Sequence, residues 1–173
     1  MLFNSIEFLL IFLPLTLAVY LRISSARVAL AWLCFASLFF YGYWNPVYLL
    51  LIVGSVLANY SFGRLIKNAT DPRRHWMAAA GVAFNLALLG YFKYANFFVG
   101  ELADFTGGDW SIDTIVLPLA ISFFTFQQIA YLVDYYQGKV EPHGITEYLA
   151  FVVLFPQLIA GPIVHQRHML PQF

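Results

Sequence analysis

The sequence predicts an all-α, polytopic membrane protein with about six membrane segments, the sixth of them broken. Three observations carry that expectation. Of 173 residues, 61% are hydrophobic and only 10% are charged, whereas a soluble domain has about 25% charged residues. From Val28 to Gly63 no charged side chain occurs over 36 residues, far more than the ~20 that span a bilayer. Several further apolar runs are also longer than the ~9–11 residues of a barrel strand and lack its alternation. A small compact body could not hide so much apolar surface from water.

The elements follow from the gaps between charges. Met1 to Tyr20 is read as a first transmembrane helix rather than a signal peptide, because no basic stretch precedes it and Arg22 follows it. The long run divides at Asn45-Pro46 into helices over 28–44 and 47–63, since proline removes a donor and turns its predecessor away from helix. Charge-free runs from Trp76 to Phe92, Thr114 to Val133 and Tyr148 to Gln166 complete the six, the first and fourth being short. No repeat or shift of composition marks a second unit, so residues 1–173 are read as one transmembrane domain.

Basic residues set the orientation. With the N-terminus extracytoplasmic, Arg22, Arg27, Arg64, Lys67, Arg73, Arg74 and Lys139 lie inside, seven of the nine Lys and Arg. The loop from Glu101 to Asp113 then lies outside. Tyr41, Tyr43, Trp44, Tyr48, Trp76, Tyr91, Tyr94 and Trp110 sit where headgroup-level anchors belong. Zero formal net charge gives no field for nucleic acid, which is not an expected partner; the lipid bilayer is.

Polar residues within spans need a reason, because lipid cannot satisfy them. On the fifth segment Gln127, Tyr131 and Asp134 share one helical face at i, i+4 and i+7. That face either packs on a neighbouring helix through hydrogen bonds or lines a hydrated cavity. Asp134 is placed at the interface beside Lys139. On the sixth segment Pro156 and Pro162, with Gly161, argue against a regular helix. Irregular backbone at membrane depth is tolerated only where protein or a water-filled cavity covers it, so Gln157, Gly161 and Pro162 join the cavity-lining candidates; a simple kink is the alternative. A departure from helix between Pro156 and Pro162 is the expectation.

Other groups point away from chemistry. Cys34 is a small hydrophobe in an apolar run and excludes an internal disulfide. His165 and His168 are three apart with no Cys, Asp or Glu nearby to complete a metal site, so no metal is expected. His75 and His143 read as loop residues, and Lys93 among aromatics reads as a snorkelling side chain. No GxSxG, P-loop or HExxH motif occurs.

Five stretches in order give a family resemblance. These are Met1 to Ser5 leading into Phe12-Leu13-Pro14-Leu15; Ser37 to Trp44; Gly90 to Phe97; Leu117 to Gln127; and Phe155 to Ile163. The chain resembles the membrane-bound O-acyltransferase family, in the branch of the alginate O-acetylase membrane subunit and relatives that acylate cell-surface polymers. The resemblance implies a bacterial inner-membrane O-acetylase, using a cytoplasmic acyl thioester such as acetyl-CoA and no bound cofactor. It implies an extracellular polysaccharide acceptor or a companion extracytoplasmic acetyltransferase. Family members are longer and carry their catalytic histidine in a later segment near tryptophans. None of His75, His143, His165 or His168 lies in such a motif. The chain is therefore expected to be an N-terminal part, inactive alone, with no catalytic residue of its own and a missing C-terminal half as partner. A small channel or transporter, or a non-catalytic assembly subunit, is the alternative; almost no intramembrane charge is present to line an ion path.

Overall fold

The computed structural model describes residues 5–106, 115–139 and 143–160. Among these residues all regular structure is helical, as expected of a helical membrane protein. A π-helical turn, Phe8–Phe12, runs into α1, Leu13–Arg22; then come α2, Ala26–Trp44, α3, Pro46–Asn68, and α4, Arg73–Thr106. The chain ends its described part with α5, Ile121–Tyr136, α6, Ile145–Val153, and α7, Phe155–Ala160. Three of these helices, α2, α3 and α4, are long and apolar enough to cross a membrane, while Phe8–Arg22 is apolar but shorter.

The turn at Asn45-Pro46 is a tight one. Asn45 alone separates α2 from α3: its backbone is extended, and its Oδ1 accepts from Val47 N at 2.9 Å. Proline follows at the first helical position, where its missing N–H costs nothing. At the other end α3 continues past Gly63 to Asn68, carrying Arg64 and Lys67 in its last turns. Helix α4 likewise exceeds the run from Trp76 to Phe92 at both ends. At 34 residues it is about 51 Å long at ~1.5 Å per residue, so charges such as Lys93 and Glu101 end the apolar run without ending the helix.

The fifth segment starts later than its apolar run. Residues 115–120 are not helical, and α5 begins at Ile121. Ala120, its N-cap, has φ 56° and ψ 21°, a left-handed conformation costly for a residue with a Cβ. Side chains from three helices hold the strap in place. Tyr41 Oη donates to Leu119 O at 3.0 Å, Tyr48 Oη donates to Val116 O, and the Asn96 amide bonds both Ile115 N and Ile115 O.

The sixth segment is broken, but not where its prolines lie. The break is at Leu154, φ −53° and ψ 111°, between α6 and α7, and residues 155–160 are helical. The expectation of non-helical backbone from Pro156 is corrected that far. Pro156 takes the second position of α7, in the first turn, where its missing N–H would have had no intrahelical acceptor. Phe155 N finds Ser37 Oγ at 3.2 Å instead. Protein does cover the break, since Val153, Phe155 and Leu158 are buried. Gly161 and Pro162 lie outside the described residues, as do His165 and His168.

The main core gathers where α3, α4, α5 and α6 meet. Two glycines permit close approach of α5 to α3 and α4. A Cβ on Gly63 would stand 2.6 Å from Tyr131 Oη, and one on Gly81 would stand 2.7 Å from Leu132 Cδ1. A second cluster joins the π-helical turn to α2 and α7 through Phe8, Phe12, Phe40 and Phe155.

Candidate functional site

Helix α5 is the polar axis of the bundle. Its residues Thr125, Gln127, Gln128, Tyr131 and Asp134 are all buried, the first three completely. Gln127, Tyr131 and Asp134 do share a buried face. Gln127 Nε2 donates to Phe151 O on α6 at 2.7 Å. The Tyr131 ring lies 4.1 Å from that of Tyr148 and 4.7 Å from that of Tyr135. Asp134 is buried within the protein, at 8% exposure, and Lys139 meets it through the backbone, N to O at 3.0 Å. Gln127 thus bonds to a neighbouring helix, and Tyr131 packs ring to ring on Tyr148 of α6. Gln157 lies half-buried on α7, which packs on α2 and α6.

A cluster of amides beside this face is not among the sequence-predicted residues. Gln128 Oε1 accepts from Ser55 Oγ at 2.6 Å and from Asn59 Nδ2 at 2.8 Å. Asn59 Nδ2 also reaches Ser55 O at 2.9 Å and Asn85 Oδ1 at 3.1 Å, so its two hydrogens are shared among three acceptors. Asn85 Nδ2 returns a bond to Asn59 Oδ1 and donates to Gly81 O. Three helices are thereby joined in a low dielectric, where such bonds are strong and a lost partner is costly. A signal for it does exist in the chain: Ser55 and Asn59 lie four apart in one charge-free run and Asn85 lies in the next.

At the end of the bundle bearing Arg64, Lys67 and Arg74, tyrosines and arginines interleave. Arg64 lies over the Tyr60 ring at 5.2 Å and donates from Nη2 to Tyr60 Oη at 2.8 Å. Tyr60 Oη in turn donates to His143 O at 3.2 Å, fixing the loop that enters α6. Arg74 Nη2 donates to Tyr135 O at 3.0 Å, where the α5 macrodipole favours a cation, and lies over the Tyr136 ring. His75 faces the Tyr136 ring at 5.9 Å. Lys93 lies over the Tyr94 ring at 5.4 Å, and buried Cys34 donates to Thr146 O at 3.6 Å.

At the opposite end of α5 a cavity of about 320 Å³ opens against the strap, lined by Leu117 to Phe123 and by Leu158. Ser122 places the only side-chain hydroxyl among those lining residues. No side chain caps the first turn of α5. Among the described residues no three His, Cys, Asp or Glu side chains gather in a way that could hold a metal ion. The arrangement can bind helices to one another.

Comparison with known proteins gives the remaining information. The chain is 40% identical over its whole length to a peptidoglycan O-acetyltransferase of Helicobacter pylori, of which it spans 38%. It is 39% identical to a probable alginate O-acetylase AlgI of Pseudomonas aeruginosa, spanning 34% of it, and 38% identical to that of Pseudomonas putida, spanning 37%. The chain thus spans about a third of the length of the curated relatives it matches. No family model matches it, and no solved structure matches it significantly.

Proposed function

We propose that this chain, which belongs to the membrane-bound O-acyltransferase family, is the N-terminal membrane part of a longer O-acetyltransferase acting on an extracellular polysaccharide. The single observation that carries the reading is identity of 38–40% along the whole chain to proteins whose names are O-acetylase or O-acetyltransferase. Alginate, peptidoglycan glycan or a related cell-surface polymer is the acceptor class, reached directly or through a companion extracytoplasmic acetyltransferase. The donor is an acyl thioester such as acetyl-CoA, arriving from the cytoplasm. The chain sits in the bacterial inner membrane with its N-terminus outside, a reading supported by Arg64, Lys67, Arg73 and Arg74 falling together at one junction, that of α3 with α4.

The part played by these residues is scaffolding. Acyl transfer needs a base or relay held close to donor and acceptor, and a displacement of ~1 Å can cost about 100-fold in rate. The described histidines, His75 and His143, are engaged with a tyrosine ring and through a main-chain carbonyl. The purified 173-residue chain is expected to transfer no acetyl group from a thioester to a polysaccharide. The chain extended along its reading frame is expected to transfer it, and to lose transfer when a histidine in the added part is replaced. Turnover by the short chain, lost in His165→Ala or His168→Ala, would place the chemistry here instead.

A further inference from the structure

We propose that the hollow between α1 and α2 seats one acyl chain of an anionic membrane phospholipid, whose phosphate is held by Arg22. The hollow has a volume of about 220 Å³ and is walled by Leu15 on one side and by Phe35 and Phe39 on the other. These walls face outward, at 58%, 61% and 52% exposure. Trp32 ties the two helices together by donating from Nε1 to Thr16 O at 3.0 Å, so the hollow is preformed.

The lining excludes most other occupants. Its polar side chains are Thr16, 3% exposed, and Trp32, whose N–H is already bonded. A neighbouring membrane helix docks on small or polar residues that let backbones approach, whereas bulky rings stand out here. A flexible hydrocarbon chain fits between such rings and asks for no hydrogen bond.

Charge then selects between two hollows. A larger one, of about 480 Å³, lies on the α3 side of Phe35 and Phe39 and also contacts Gly42 and Leu49. No Lys or Arg occurs between Arg27 and Arg64, so neither α2 nor the first four turns of α3 offers that hollow a cation. The smaller hollow has one. Arg22 ends α1 seven residues after Leu15, on the same helical face. It stands about 10 Å beyond Leu15 at ~1.5 Å per residue, which sets its guanidinium at headgroup level when the hollow lies in the hydrocarbon. Arg22 is exposed, and no acidic residue occurs between Glu7 and Asp71, so α1, α2 and α3 give it no carboxylate. Glu147 of α6 belongs to another face of α2, the one on which Cys34 Sγ reaches Thr146 O. A phosphate is the complementary group, and guanidinium binds it through two parallel hydrogen bonds.

Native mass spectrometry of the detergent-purified chain, loaded with phosphatidylglycerol or with diacylglycerol of the same chains, tests both halves of the proposal. Phosphatidylglycerol should be retained about tenfold more strongly, the worth of a charge-assisted bond. Arg22→Gln should reduce it to the level of diacylglycerol, while Arg64→Gln leaves it unchanged. Leu15→Trp, which fills the hollow from an exposed position, should abolish retention of both. Location is read separately in a Trp44→Phe, Trp76→Phe, Trp110→Phe background, where phosphatidylglycerol brominated along its chains should quench Trp32 and Arg22→Gln should weaken the quenching. Equal retention of the two lipids, equal effects of Arg22→Gln and Arg64→Gln, or quenching indifferent to Arg22 overturns the proposal. So does loss of the retained lipid when the chain is extended along its reading frame, which would seat a downstream segment in the hollow instead.

Discussion

Two parts of the bundle hold helices together by opposite means. Where α3, α4 and α5 meet, Ser55, Asn59, Asn85 and Gln128 bond through directional amides and a hydroxyl, all of them buried. Where the π-helical turn meets α2 and α7, Phe8, Phe12, Phe40 and Phe155 meet ring to ring at 5.3–6.0 Å, with no polar side-chain atom among them. In lipid the apolar tails compete as well as any ring, so apolar contact alone discriminates poorly between registers. An amide triad does discriminate, because sliding one helix by a residue unpairs several buried polar atoms at once. The first region specifies the arrangement of the bundle and the second fills it.

The contrast predicts unequal responses to substitutions of similar volume. Asn59→Leu removes the acceptor of Asn85 Nδ2 and a donor to Asn85 Oδ1, and each orphan costs about 1–3 kcal/mol. A loss of roughly 2–4 kcal/mol is expected in reversible unfolding in mixed micelles. Phe12→Leu keeps a large apolar side chain and removes no hydrogen-bonding group, so it should cost less than about 1.5 kcal/mol. Equal losses would mean that the amide cluster contributes packing only.

Glycines sharpen the same contrast. Gly63→Ala puts a Cβ within 2.6–2.9 Å of Tyr131, whose ring is held between Tyr135 and Tyr148 and cannot retreat easily. Overpacking of that kind costs about 1–3 kcal/mol. Gly54→Ala meets nothing within 4 Å and should stabilise α3 by about 0.5–1 kcal/mol, the helix preference of alanine. Measured together, the two variants should move the unfolding midpoint in opposite directions. If both move it upward, α5 does not approach α3 as closely as Tyr131 indicates.

Much of this architecture is legible in the sequence itself. The helix–turn–helix around Asn45-Pro46 follows from a charge-free run too long for one span and a single proline. The buried face of Gln127 and Tyr131 follows from periodicity. The amide cluster escapes such reasoning because its four members lie on three helices, and local spacing shows only Ser55 and Asn59 as neighbours. The break at Leu154 falls away from its expected place because prolines mark where a helix can start as well as where it stops, and Pro156 opens α7. The strap escapes for a different reason. Residues 115–120 are apolar enough to be helical, and what holds them out of a helix is tertiary: hydroxyls and an amide reaching over from α2, α3 and α4.

That strap gives the most local expected effect. Tyr41 is fully buried, and its Oη donates to Leu119 O at 3.0 Å, immediately before the left-handed Ala120. Tyr41→Phe keeps the ring and its packing in the core while leaving Leu119 O without that donor. One neutral hydrogen bond contributes about 0.5–1.5 kcal/mol, and the strap keeps its bonds from Tyr48 and Asn96. Global stability should therefore change less than in Asn59→Leu. The consequence should appear in the strap itself, because segments held by few bonds open locally well below the global unfolding free energy. Hydrogen exchange of the peptide covering residues 115–124 should accelerate several-fold, with α3 and the inner half of α5 unchanged. Acceleration spread evenly over α3, α4 and α5 would show that the strap is part of the same cooperative unit as the amide cluster, and the division between specifying and filling regions would have to be redrawn with Tyr41 on the specifying side.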